Sequence, residues 1–400
     1  MKIFGKEIID EKSIRQLERC IGEEDIGVLT ADAHYGYAHP IGGAIAYKKH
    51  VSVSGVGFDI ACGNKAVRTT IKANDVDVEN VMDEIVRRIS FGVGRINNEP
   101  VDHPVFDKIQ NSVFKPQREL LKTAIPQLGT IGSGNHYIDL FEDEEGFLWV
   151  GVHFGSRGFG HKTATGFIAL SQGLEFNEKG KEGSMDSKPI LLDIDSTIGQ
   201  DYIEAMKLAG DYAYAGRDVV VDKVLSILGT KDVSFEVHNH HNFSWEEEHF
   251  GKTYNVVRKG CTPAFPGQFG FIGSNMEDYS VIVKGVDSKE AREGLYSTIH
   301  GAGRVMSRSE AAGKKRWMRG EDGVKRPTIV TKGKVDFDTV KERVSSKVVL
   351  RGAGADEAPE CYKNLEEVLT YQGSTIEVVH RLRPIGVAMA GSEIIDPYKD

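Results

Sequence analysis

Cysteine is scarce in this chain: Cys20, Cys62, Cys261 and Cys361 are the only four in 400 residues, and none forms a C-x-x-C pair. That spacing excludes a disulfide framework and a zinc ribbon, so reduced thiols in a cytoplasmic setting are expected. Long apolar runs are missing too. No stretch of about 18 apolar residues occurs, which excludes a membrane-spanning helix. The opening segment, Met1 to Glu7, turns acidic at once and carries no signal-type apolar core. Positive charge is not in excess either. Lys and Arg total 50 against 59 Asp and Glu, for a net charge of −9, which excludes a histone-like, purely electrostatic binder of nucleic acid. A local basic groove stays compatible with RNA as substrate. Tandem repeats and low-complexity linkers are absent.

What is present is a core of ordinary size and an abundance of glycine. With 40% apolar and 27% charged residues, a chain of this length predicts one large domain or two intimately packed ones. The 45 glycines favour a protein of many sharp, functional loops over a helical bundle. Periodicity predicts helices over residues 11–20, 76–89 and 197–228, with Gly210 and Gly216 as the weak points of the last. Strands are expected at 26–30, 41–47, 51–56, 64–71 and 147–153, and around 233–238, 253–258, 268–272 and 279–284. Residues 31–37 read as a polar loop, a helix is expected to start near Gly301, and short elements close the chain. Strands cluster and do not alternate regularly with helices, so the prediction is a single mixed α+β domain over 1–400, with several sheets and a metal site at strand ends. The basic segment 311–330 lies within it, and 392–400 forms a short tail.

Chemistry concentrates in glycine-flanked turns. In Gly55-Val56-Gly57-Phe58-Asp59-Ile60-Ala61-Cys62-Gly63, a carboxylate and a thiol three residues apart can be aimed at one point. Taken alone they read as a tight turn with a capping Asp and a buried thiol. Histidines change that balance. His136, His153 and His241 sit in Gly-, Ser- or Asn-rich turns beside apolar strands, as strand-end sites do. Asp59, Cys62, His136, His153 and His241 make five ligands, and with Cys62 bridging they suffice for two ions. The neighbouring Asn135 and Asn242 are candidates for fixing the second imidazole nitrogens.

Three weaker patterns accompany this set. His300 stands ahead of Gly301-Ala302-Gly303, with Arg304 and Arg308 four residues apart, as in a phosphate nest at a helix start. A glycine-mediated helix start with a capping His is the bland alternative. Gly155-Ser156-Arg157-Gly158 is a candidate oxyanion or phosphate loop. Lys314, Lys315, Arg316, Arg319, Lys325 and Arg326 form a basic run that can grip an RNA backbone or lie as a solvated face, with Trp317 for stacking or core packing.

Read in order, Gly57 to Gly63, Gly132 to His136, His153 to Gly158, His241-Asn242, Arg258-Lys259-Gly260 and His300 to Arg308 resemble the motifs of the RtcB-type RNA-splicing ligases. Asp356 to Pro359 with Tyr362-Lys363 matches a further stretch, and the resemblance runs from about residue 25 to 391. It implies a GTP- and Mn²⁺-dependent ligase joining RNA 3′-phosphate or 2′,3′-cyclic phosphate ends to 5′-hydroxyl ends in RNA repair or tRNA splicing. An archease-like activator is a candidate partner. By the same resemblance, Asp59, Cys62 and His136 would hold one Mn²⁺ and Cys62, His153 and His241 the other. His300 would attack the α-phosphate of GTP and become guanylylated, then pass GMP to the RNA 3′-phosphate. GTP or GMP contacts would come from Asn135, His136, Tyr137, Ile138, Asp139, His241, Asn242, Gly273, Ser274, Asn275, Met276, Ser280, His300, Gly301, Ala302, Gly303 and Tyr362. Arg157, Arg304 and Arg308 would face RNA.

The chain departs from the family pattern in places. Ala390-Gly391 stands where Lys-Gly usually closes the chain and contacts the guanylate, leaving Lys399 in the tail as a candidate substitute. Asp139 stands for Glu, Gly273 to Met276 for Pro-Gly-Ser-Met, and Gly216 for Asn. Sulfur and imidazole accept manganese or zinc alike, so the metal's identity rests on the resemblance. Two rival readings are a two-metal RNA phosphohydrolase or cyclic phosphodiesterase, and a non-catalytic RNA-end binder keeping the fold. Guanylylation of His300 separates the ligase from both.

Overall fold

The apolar run Phe147–Phe154 is buried along nearly its whole length, as a strand covered on both faces must be. It sits inside an eight-stranded sheet. One neighbour is Tyr137–Glu142, followed outward by Ile376–Gly391, Ser280–Gly285 and Phe269–Ile272; the other is Gly63–Lys72, followed by Val233–His240. All these pairings are antiparallel. Val349–Ala353 adds a parallel pairing to Ile376–Gly391. The two outer strands come back toward each other. The Phe235 and Phe269 rings lie 5.0 Å apart, and Asn239 Oδ1 accepts from Phe271 N at 3.3 Å, so the sheet curls nearly into a barrel. The computed structural model describes residues 1–319 and 325–394, without the side chains of 315–317 and 325–329. The expectations for Trp317 and Lys399 therefore fall outside the described residues.

A second sheet runs in the order Lys2–Ile3, Ile26–His34, Ile41–Tyr47, Lys252–Lys259, Asn242–His249. A single residue joins the two sheets. Val233–His240 ends the first, Asn242–His249 begins the second, and His241 is the step between them. Its backbone is fixed on both sides, with His241 N donating to Cys62 O at 2.8 Å and Cys261 N donating to His241 O at 3.1 Å.

Helix Thr197–Leu228 is unbroken over 32 residues, capped by the Ser196 side chain on Gly199 N and closed by Gly229 at φ 72°. Its later turns pack Val220, Val221 and Val224 against Val150, Val152 and Phe154 of the sheet. Each fully buried side chain of this kind contributes about 1.5–3 kcal/mol of transfer free energy. Helix Arg157–Ser171 lies alongside, with Phe159 against Tyr212 at 5.1 Å. The chain is thus one large α+β domain. No described helix is long and apolar enough to cross a membrane.

Several expectations need correction. Ala31 to His34 are the end of a strand, not a loop. Val51–Val56 divides into strand His50–Ser52 and the short helix Val53–Val56. The closing segment contains a 16-residue strand, Ile376–Gly391, central to the large sheet. The helix expected at Gly301 begins only at Arg308 and ends at Ala312. Long-range pairing takes up the backbone that a helix would need, since Val305 N donates to Cys361 O and Lys363 N to Gly303 O.

Candidate metal centre and nucleotide cleft

Cys62 is aimed by a strained turn. Ala61 adopts φ 58°, a left-handed conformation that costs a residue with a side chain about 1–2 kcal/mol. Two clamps hold it there. Ala61 N donates to Asn242 O at 2.7 Å, and Arg217 Nη1 donates to Ala61 O at 3.0 Å. Cys62 Sγ then lies 3.3 Å from His153 Nε2 and 3.6 Å from His136 Nε2, while His136 Nε2 is 3.0 Å from Asp59 Oδ2. Two groups of ligand atoms result: Cys62, His153 and His241, and Asp59, Cys62 and His136, each within 4.8 Å of one another. The sulfur belongs to both. These are the five residues that the sequence singled out, gathered from four strand ends and one turn.

The donor set fits a borderline divalent transition metal. Buried ring nitrogens His136 Nδ1 and His241 Nδ1 have no hydrogen-bond partner among the described residues. Burial first, then neighbouring histidines, hold His153 and His241 well below the usual imidazole range, so both are neutral and able to ligate. Burial acts to raise the Asp59 pKa, but hydrogen bonding and charge from His136 and a hydrogen bond with Cys62 outweigh it, bringing Asp59 down to about 2. Burial followed by the Asp59 charge pushes the Cys62 thiol well up. Gly155 is required beside this group, because a Cβ there would stand 2.3 Å from Asp59 Oδ1.

Arg217 went unassigned in the sequence and is central here. Fully buried, it donates through Nη1 to Phe154 O at 2.7 Å and through Nε to His238 Nε2 at 3.0 Å, with Nη2 3.0 Å from His240 Nδ1. One guanidinium therefore ties the strand ends carrying Cys62, His153 and His241 together. Asn242 does not play the part expected of it. Asn242 Oδ1 accepts from Gly260 N and its Nδ2 donates to Asp59 O, so its amide braces loops and fixes no imidazole.

His300 lies beside this cluster, its ring 4.9 Å from that of His241. Its partner is Asp32, a residue that sequence reasoning passed over as part of a loop. Asp32 is fully buried, and its Oδ2 is 2.7 Å from His300 Nδ1 while accepting from His300 N at 3.0 Å and Gly301 N at 3.3 Å. Thr30 Oγ1 donates to Asp32 Oδ1 at 2.6 Å, and Lys363 Nζ donates to the carbonyls of Ala31 and Ala33 on either side. Burial works to raise the Asp32 pKa, but the hydrogen bond and charge of His300 outweigh it and keep the carboxyl ionised. A carboxylate on Nδ1 fixes the tautomer and leaves Nε2 as the free lone pair. Gly303, at φ 77°, lets the chain lie against Asp32, since a Cβ there would meet Asp32 O at 2.2 Å.

A cleft of about 630 Å³ opens over His300 and His153. Asn135, Tyr137, Asp139, Gly273, Ser274, Asn275, Met276, Gly301, Ala302, Gly303 and Tyr362 line it, as do Val387 and Met389. Tyr137 OH, Asp139 Oδ1 and Ser274 Oγ are buried there without a partner among the described residues. Burial alone raises the Asp139 carboxyl well above its usual range. Of the expected nucleotide contacts, His136, Ile138, His241, Asn242 and Ser280 are not in the lining. Ile138 packs into the apolar core behind the sheet, and Ser280 Oγ accepts from Ser274 N to hold that loop. Nor does Ala390, next to Met389, line it.

The three arginines expected to face RNA are all engaged internally. Arg157 donates to Gly92 O and Ile131 O, and Ser156 Oγ to Ile60 O, so the Gly155–Gly158 turn braces its neighbours. Arg304 donates to Tyr362 OH and Asp356 O, and Arg308 pairs with Asp356 and Glu357.

Comparison with known proteins agrees with this arrangement. The family described as "tRNA-splicing ligase RtcB" matches residues 22–390. The chain is 31% identical over 383 residues to the RNA-splicing ligase RtcB of Escherichia coli K12, covering 88% of this chain and 87% of that protein. It is 29% identical to the tRNA-splicing ligase RtcB of Archaeoglobus fulgidus, covering 97% and 92%, and 28% identical to that of Thermococcus kodakarensis, covering 97% and 95%. With a cysteine shared between two ligand groups, a histidine poised beside them and a match along nearly its whole length, the chain belongs to the RtcB family and is an enzyme of the RNA-ligase class.

Proposed function

We propose that this enzyme joins RNA 3′-phosphate or 2′,3′-cyclic phosphate ends to 5′-hydroxyl ends in the cytoplasm, using GTP, a guanylylated His300 and two Mn²⁺ ions. One observation carries the reading: His300 Nδ1 is held by the buried Asp32 while its ring stands 4.9 Å from His241, a member of the double ligand group. In this reading Asp59, Cys62 and His136 would hold one cation, and Cys62, His153 and His241 the other. Bound there, two divalent cations would offset the charge of a triphosphate and polarise its α-phosphate.

The remaining work falls to side chains of this protein. His300 Nε2 donates its lone pair to the α-phosphorus while the bond to pyrophosphate breaks, giving a phosphoramidate. Nδ1 keeps its proton, and the positive charge that develops on the ring is offset by Asp32, in the manner of a histidine–carboxylate pair. A 2′,3′-cyclic end is first opened by water to the 3′-phosphate; GMP then passes from His300 Nε2 to an oxygen of that phosphate, and the 5′-hydroxyl oxygen attacks its phosphorus, losing its proton as GMP leaves. Tyr137, Asp139 and Ser274 offer unpartnered polar atoms to the nucleotide, and Met276, Val387 and Met389 supply apolar walls.

The test is incubation with α-labelled GTP and Mn²⁺, with ATP in parallel. Covalent label on the wild type and none on His300→Ala is the expected result. Metal-loaded protein that takes no label yet opens cyclic phosphate ends would make the enzyme a phosphohydrolase.

A further inference from the structure

The arginines at the cleft, Arg304 and Arg308, are engaged with Tyr362, Asp356 and Glu357, and a second basic element stands beside them. After the helix Arg308–Ala312, whose Arg308 belongs to the cleft lining together with Glu310, the chain enters strand Gly313–Arg319 and returns through Lys325–Lys332. Among the described residues these two strands pair only with each other. Their base is fixed to the cleft rim: Lys334 N donates to Glu310 O at 3.0 Å, Val335 N donates to Ala311 O at 3.1 Å, and Lys334 Nζ pairs with Glu310.

The composition of this hairpin is unlike the rest of the chain. The two strands carry Lys314, Lys315, Arg316, Arg319, Lys325, Arg326 and Lys332 and no acidic residue, with Glu321 and Asp322 in the sequence between them, in a protein of net charge −9. Lys314, Arg319 and Lys332 are exposed and form no ion pair among the described residues. Met318 and Val330 are 51% and 50% exposed. In register, Arg319 stands opposite Lys325. Like charges directly opposite weaken a ladder, and a two-stranded hairpin is marginal in water without a packed face. An arrangement that costs the free protein stability is accounted for when a polyanion lies along it.

We propose that the hairpin Gly313–Arg319/Lys325–Lys332 is a docking arm for the phosphate backbone of single-stranded RNA, holding the strand whose end enters the cleft. The proposal rests on the ligase reading for the identity of its ligand. Contact is sequence-independent, made by Lys314, Arg319 and Lys332, and exposed Met318 and Val330 give base faces apolar surface.

The test uses the full-length, Mn²⁺-loaded protein and a short single-stranded RNA ending in a 3′-phosphate. Binding is followed by fluorescence anisotropy across a salt series, and GTP labelling of His300 is measured separately without RNA. Replacing Lys314, Arg319 and Lys332 together by Gln is expected to weaken RNA binding about 10-fold or more and to lower the log–log salt slope by about 2, at roughly 0.7 per lost phosphate contact. GTP labelling should stay at the wild-type rate. A control triple variant, Lys122→Gln, Lys231→Gln and Lys252→Gln, alters exposed lysines on other elements.

RNA binding and salt slope unchanged in the hairpin variant would overturn the proposal and leave the arm as a docking element for a protein. Equal loss in both triple variants would reduce the effect to bulk charge and also overturn it, as would loss of GTP labelling in the hairpin variant. If the wild type binds RNA through the hairpin but takes no label from GTP, the docking arm stands and the ligase reading falls.

Discussion

Asp32 and His300 lie 268 positions apart and meet through a 2.7 Å contact. Asp32→Asn preserves the shape but removes the charge that fixes the His300 tautomer. The rate of GTP labelling at saturating GTP is expected to fall about 10²–10⁴-fold, by analogy with removing the carboxylate of a histidine–carboxylate pair. Cation binding should persist, and an unchanged labelling rate would remove Asp32 from the mechanism. Cys62, His136, His153 and His241 were legible in the sequence because each sits in a turn whose glycines or asparagines mark a strand end. Asp32 was not, although Ile26–His34 did hold a signal: the one acidic residue of a largely apolar strand is buried and needs a partner. Gly155 is the matching case at the ligands. Gly155→Ala would drive a methyl into Asp59 and should weaken cation binding, measured by titration, with little change in the neighbouring helix.

Elements carry the placement of His300. The strand Ser297–Ile299 that delivers it follows two residues in left-handed conformations, Leu295 at φ 54° and Tyr296 at φ 44°. Such residues persist only where surrounding structure holds them. Arg258 does so: buried completely, it donates to Leu295 O and Ser297 Oγ at 2.8 Å each and makes a two-bond pair with Glu247 at 2.6 and 3.0 Å. Arg258→Met leaves the buried Glu247 carboxylate with His249 as its one remaining side-chain partner among the described residues and should cost about 3–5 kcal/mol, read from denaturant unfolding. A loss under about 1 kcal/mol would mean the turn holds itself. Arg258 stood in a recognised motif, but its role was invisible because its partners lie 11 and about 40 positions away. The long helix Thr197–Leu228 was readable from its period. The helix expected at Gly301 failed because a local pattern, glycines ahead of polar residues, was overridden by pairing with residues 361–363.

At the scale of the whole molecule, the mixed α+β class followed from clustered strands, whereas the near-closure of the large sheet depends on contacts such as Phe235 with Phe269 that no local pattern encodes. Buried carboxylates also tie overall stability to pH. For Asp143, burial acts to raise the pKa, but bonds from Trp149 Nε1 and Arg68 Nε outweigh it and hold the group below its usual range. Glu247 is likewise held down by Arg258 and His249 against its burial. A carboxyl depressed in the folded state stabilises fully above its unfolded pKa, near about 4, and that contribution is lost as pH falls through the folded value. Acid unfolding followed by circular dichroism should therefore steepen below about pH 4, and Asp143→Asn should flatten that limb while lowering stability at neutral pH. An acid limb identical in the variant would contradict this.

The site is built on one sulfur atom shared between two groups of candidate ligand atoms, with His300 beside them. The direct measurement is anomalous diffraction at the manganese edge from crystals of the Mn²⁺-loaded protein. Two peaks flanking Cys62 Sγ, one reached by Asp59 and His136 and the other by His153 and His241, are predicted, and both should weaken in Cys62→Ala. A single peak away from Cys62, or two peaks unaffected by its removal, would contradict the account.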